Sequence, residues 1–132
     1  MKKNKSIVWR KEPQDHDYPA AASYLDLIYP PGVRKKLVKR LRRAELTQFH
    51  AKDVFRASRL PLLGAANYHV KKVRVKIAAG QKVSPILLVR DEANGKVVIA
   101  DGYHRMCAVY SLDEDAILPC KIVWTTNPRF RL

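Results

Sequence analysis

Val97-Val98-Ile99-Ala100-Asp101-Gly102-Tyr103-His104-Arg105-Met106-Cys107-Ala108 joins an apolar strand to a helix through Asp-Gly, and the helix opens on His and Arg. That order predicts an anion site. The first N–H groups of a helix have no intrahelical acceptor and carry the positive end of the macrodipole, so a phosphate finds donors aimed at it. Gly102 lets backbone approach closely, and Arg105 can add a two-pronged charged contact. A plainer reading stands beside this one. Asp101 would then be an ordinary N-cap, His104 a helix-start histidine bonded to backbone, and Arg105 a structural partner of Asp91 or Asp101.

Working outward, Pro85 to Arg90 is a continuous apolar run of the buried-strand type. Asp91 to Gly95 forms a polar turn, and its Asn-Gly pair signals a hairpin whose partner strand is Lys96 to Ala100. Gly102 to Leu112 reads as a helix and Cys120 to Trp124 as a last strand. Upstream, Ala65 to Ala79 reads as a helix with Val70, Val73 and Ile77 on one side, and Gly80 as its stop. Val54 to Ala57 fits either a short strand or a turn of helix. Val33 to Ala44 is expected to be helical, with Val33, Leu37, Leu41 and Ala44 as its apolar stripe and Arg34, Lys35, Lys36, Lys39, Arg40, Arg42 and Arg43 on its other faces. Ser23 to Tyr29 suggests a short helix stopped by Pro30-Pro31, and residues 1 to 22 a loose arm docking through Ile7, Val8 and Trp9.

The 132 residues fit one compact unit of α+β class. Two parts are expected within it: a basic arm with helices over 1–50, and a small mixed sheet with flanking helices over 51–132. No stretch approaches the roughly 18 apolar residues of a membrane span, and the basic N-terminus lacks the apolar core of a secretory signal, so no membrane partner and a cytoplasmic location are expected. Cys107 and Cys120 lack metal-ligand spacing and are expected as reduced, partly buried thiols. Net charge is +14, and residues 1–82 hold 20 of the 26 Lys and Arg against 6 of the 12 acids. The whole excess lies in that part. A polyanionic partner, most simply nucleic acid contacted by Arg34, Lys35, Lys39, Arg42 and Arg43, is one expectation from this asymmetry; a solvated basic face is the other.

Ser84-Pro85-Ile86-Leu87-Leu88-Val89-Arg90, the Asn94-Gly95 turn, Asp101-Gly102-Tyr103-His104-Arg105 and Pro119-Cys120-Lys121-Ile122-Val123 together resemble the ParB/sulfiredoxin superfamily. The resemblance covers roughly residues 54–124. It implies a ParB/sulfiredoxin-like sheet and a nucleotide phosphate held at Gly102, Tyr103, His104 and Arg105. Tyr103 stands where sulfiredoxins carry the reactive cysteine, and a phenol cannot replace that thiolate, so sulfiredoxin activity is not implied. Partition-type ParB proteins carry Gly-Glu-Arg-Arg at this point, where this chain has His104. The Asp-Gly-x-His-Arg form is most similar to the branch that includes ADP-dependent free serine kinases.

From that branch the resemblance implies ATP, ADP or CTP as ligand, Asp101 as a Mg²⁺ ligand, and nucleotide hydrolysis or phosphoryl transfer as the reaction class. The kinase's upstream glutamate has no counterpart, since no carboxylate lies between Phe55 and Lys72. His69 and Asn67 occupy that neighbourhood. His69 and His104 are therefore the expected catalytic pair, with Asn67 among the nucleotide-binding residues. The alternative function class is a basic nucleic-acid-binding module, ParB-like or nuclease, using the Arg34–Arg43 helix.

Overall fold

A computed structural model of the chain describes residues 6–125. A four-stranded mixed sheet lies between two layers of helix, in the order β1 (Thr47–His50), β4 (Ile117–Trp124), β2 (Ile86–Asp91), β3 (Lys96–Asp101). β2 runs parallel to β4, and the β1–β4 and β2–β3 pairs are antiparallel. The expected α+β class is observed. The sheet takes its edge strand β1 from the segment before residue 51.

Alternation along the strands sends side chains to two cores. Ile86, Leu88, Ile99, Leu118 and Cys120 face α3 (Ala51–Ser58), α4 (Tyr68–Ala78) and α5 (Tyr103–Leu112). Leu87, Val89, Val98, Ala100 and Val123 face α1 (Asp17–Leu25) and α2 (Pro31–Arg43). Both faces are covered, which is why β2 reads as an unbroken apolar run. Leu88 pairs with Ile99 but Leu87 pairs with Asp101, so β3 carries one extra residue at Ala100, a bulge at its end.

Three expectations need correction. The arm expected over residues 1–22 is not loose over its described part, residues 6–22: Tyr18, Ala21 and Leu25 recur at 3 and 4 residues and are buried on the sheet, so a helix starts at Asp17. Pro19 is tolerated there because the first turn needs no N–H acceptor. Accordingly the helix expected over Ser23–Tyr29 ends at Leu25, and residues 26–28 form turns. Ahead of it the arm is tied down within the expected Ile7, Val8 and Trp9 cluster, by a parallel bridge of Trp9 to Val83, with Arg10 N–H donating to Val83 O at 2.8 Å. Thr47–His50, not anticipated as a strand, is an edge whose only partly buried side chain is Phe49, too little pattern to read. Of the two options for Val54–Ala57, the helix is found, stopped by Arg59 at φ 59°.

The remaining elements lie close to their expected bounds. α2 packs through Leu37 and Leu41, with Val38 and Ala44 alongside, while Val33 is exposed. Lys121, 2% exposed, donates to the Tyr18 hydroxyl at 3.0 Å and the Arg42 carbonyl at 3.1 Å, and meets Glu12 at 3.3 Å, linking β4 to both helices. Tyr29 Oη donates to Asp91 at 2.9 Å and ties the α1–α2 link to the hairpin turn. Both cysteines are free and buried, and burial pushes the Cys120 thiol up to about 12. Among the described residues no helix is long and apolar enough to cross a membrane.

Candidate functional site

β3 ends at Asp101, and Gly102 turns the chain into α5 with φ at 111°. Only glycine suits this position. A Cβ would stand 2.7 Å from Ile86 Cδ1 and 3.0 Å from Arg105 Nη2, and the conformation itself disfavours side chains. No side chain caps α5, so the N-cap reading of Asp101 is not observed. The N–H groups of Tyr103, His104 and Arg105 open the helix without intrahelical acceptors.

Asp101 instead accepts from Arg105 Nη2 at 3.0 Å, and the same nitrogen donates to Pro85 O at 3.2 Å. Arg105 is thus the ion-pair partner of Asp101, not of Asp91. Its Nε is buried with no partner among the described residues. The Asp17 carboxyl, from the first turn of α1, lies beside Asp101 and acts on its charge. Burial, reinforced by Asp17 and opposed by Arg105, holds the Asp101 carboxyl above its ordinary value. Asp17 is itself buried, accepting from Gln14 N–H at 2.9 Å with His16 Nε2 3.4 Å away.

α4 supplies the facing wall. Asn67, expected to bind nucleotide, is its N-cap: Oδ1 accepts from the N–H groups of His69 at 3.0 Å and Val70 at 3.1 Å. That cap fixes where His69 stands. The His69 and His104 ring centroids are 4.8 Å apart at 43°, Tyr68 meets His69 edge-on, and Tyr103 packs against His104 while donating its hydroxyl to Pro61 O. Burial first, then His69 and Arg105, lowers the His104 pKa below its ordinary 6.5. His104 is therefore neutral at pH 7, able to accept a proton or a hydrogen bond.

These parts line one open cavity of about 260 Å³. α4 gives it His69, Lys72, Val73 and Lys76, and the β3–α5 junction gives it Asp101 through Arg105. Every expected site residue except Asn67 is there. Lys72 and Lys76 in the cavity, and Asp17 beside Asp101, were not anticipated. The two lysines follow His69 at 3 and 7 residues, one face of a helix, and that spacing is visible in the sequence; nothing in the sequence pairs Asp17 with Asp101. A larger cavity of about 530 Å³ between the arm, α4 and α5 is lined mainly by apolar groups such as Ile7, Trp9, Ile77 and Leu112. Its one cation, Arg74, is tied to Ser111 at 2.6 Å.

His16 and His50 lie elsewhere, and among the described residues no three His, Cys, Asp or Glu gather as metal ligands. No protein-family model matches the sequence, and no curated protein or solved structure is significantly similar to it.

Proposed function

We propose that the chain is a ParB/sulfiredoxin-like domain that binds the phosphates of a nucleotide at the start of α5. One observation carries the reading: two lysines, two histidines and an arginine from two helices converge on a cavity at a helix N-terminus. Helix N–H groups and the Lys72, Lys76 and Arg105 cations supply donors and positive charge for a phosphate chain. A cavity of about 260 Å³ suits phosphates with part of a sugar, leaving the base at the open rim.

His104, kept neutral by burial, serves as proton acceptor for a hydroxyl or water attacking the terminal phosphate, with His69 beside it. Lys72 and Lys76 offset charge that builds on the transferring group. Asp101, the carboxylate on the cavity wall, is the residue that would hold Mg²⁺, an ion that uses one or two carboxylates with water and substrate phosphate in place of a full protein cage. Bound there, it would neutralise phosphate charge.

Calorimetric titration with ATP, ADP and CTP, with and without Mg²⁺, tests the reading. Wild type is expected to bind at least one of them, and Lys72→Ala with Lys76→Ala to weaken binding at least tenfold while folding normally. Absence of heat with all three, or unchanged affinity in the double variant, removes the proposal.

A further inference from the structure

The outer face of α2 lies across the sheet from the cavity and has a different character. Seven of its 13 residues are Lys or Arg, and none is acidic. Leu37 and Leu41 seat it on the sheet, so the cations project away from the core. Three of them are engaged. Arg34 meets Asp26 at 3.3 Å, Arg40 Nη1 donates to Trp124 O at 3.1 Å, and Arg42 lies 4.5 Å from the Tyr18 ring centroid. Lys35, Lys36, Lys39 and Arg43 are exposed and meet no acid among the described residues.

Lys35, Lys39 and Arg43 stand one above another at four-residue steps, a row about 12 Å long at 1.5 Å per residue. Like charges at that spacing repel, and no carboxylate of the helix relieves them. A polyanion would. We infer that this face is a docking surface for the phosphate backbone of a nucleic acid, separate from the α5 cavity. One strand carries a charge about every 3.4 Å of axis, so each step of the row takes in about two phosphates.

The same geometry argues against the other polyanionic surfaces. A helix that lies in a lipid interface buries its apolar face there, and the apolar face of α2 is already in the core. Protein partners are anchored by aromatic or aliphatic side chains in pockets, and the exposed face of α2 offers seven cations with Val33 as its one exposed large apolar side chain. Contacts made to phosphates alone position without reading sequence, so the expected binding is tolerant of sequence.

The test is fluorescence anisotropy with mixed-sequence duplex DNA, single-stranded DNA and single-stranded RNA across a salt series. Four contacts predict a slope of log K against log salt of about −3.6 on duplex and about −2.8 on single strands, and whichever probe binds most tightly identifies the preferred form. Replacing Lys35, Lys36, Lys39 and Arg43 by Gln is expected to weaken binding at least a hundredfold at low salt and flatten the slope. These exposed changes leave the core intact, which a melting curve verifies. A control variant replaces Lys11, Arg56, Arg59 and Lys82 by Gln and is expected to keep most of the affinity. Equal loss in both variants, no binding by wild type, or binding to phosphatidylserine vesicles without binding to nucleic acid would each overturn the inference. Loss of nucleotide binding in the Lys72, Lys76 variant with nucleic-acid binding intact would separate the two sites.

Discussion

The imidazoles of His69 and His104 stand 4.8 Å apart although 35 positions separate them in the chain, each on the opening turn of its own helix. α4 and α5 pack so that both helix starts flank one cavity. His69 therefore disfavours a proton on His104.

His104 is expected to titrate below 6.5 in the free protein, because burial, His69 and Arg105 all disfavour its cation. The unfolded chain then takes up this proton first as pH falls, so the contribution of His104 to stability drops from about pH 6.5 down through the folded value. Proton NMR of the ring signals measures the midpoint, and saturating nucleotide should raise it by stabilising the imidazolium. A free midpoint at or above 6.5 contradicts the described environment.

Gly102→Ala should destabilise the fold by about 2–4 kcal/mol, combining left-handed strain with a Cβ driven against Ile86. Urea unfolding measures it. A loss below about 1 kcal/mol would mean that the strand-to-helix turn relaxes freely.

Asn67→Ala removes the cap of α4 and should cost about 1 kcal/mol. Because the same cap sets the first turn, nucleotide affinity should fall with it, whereas Asn67→Asp, which retains the acceptor oxygen, should preserve stability. Equal stability of Asn67→Ala and wild type in thermal melts would show that the cap is dispensable.

Asp17→Asn should bring the Asp101 titration midpoint down, since it removes one neighbour that raises it while leaving Arg105 in place. With the folded pKa raised, the contribution of Asp101 to stability is complete below its ordinary 3.8 and is lost as pH rises through the folded value. Carbon NMR of the Asp101 carboxyl in both proteins reads the shift directly. An identical midpoint would place the two carboxyls out of contact.

Tyr18→Phe takes one acceptor from the buried Lys121 ammonium and should cost about 1.5–3 kcal/mol. Hydrogen exchange of α1 should accelerate in step. Unchanged exchange and unchanged unfolding would show that the Arg42 carbonyl and Glu12 suffice.

The β2–β3–α5–β4 half was legible because its signals are local: an apolar run, Asn94-Gly95, and Gly102 at a positive φ. Most of the cavity followed, since the same junction carries five of its residues. Long-range partners were not legible. Lys121 reads as a surface lysine in an otherwise apolar strand until Tyr18, 103 residues away in the chain, is folded over it. Asn67 illustrates a different limit, because its identity suits a ligand contact as well as a cap and only the bonds it makes decide between them.

The extra residue of β3 at Ala100 decides which carboxyl neighbour Asp101 meets. In a regular ladder Asp101 would share the side of Val97 and Ile99, beneath α3 to α5. Opposite Leu87 it stands at the end of the sheet, lining the cavity with Arg105 and α4 while Asp17 of α1 reaches it as well. A single-residue deletion there would leave every chemical group of the site in the chain and dismantle the site, making strand length as much a determinant of this chemistry as any side chain.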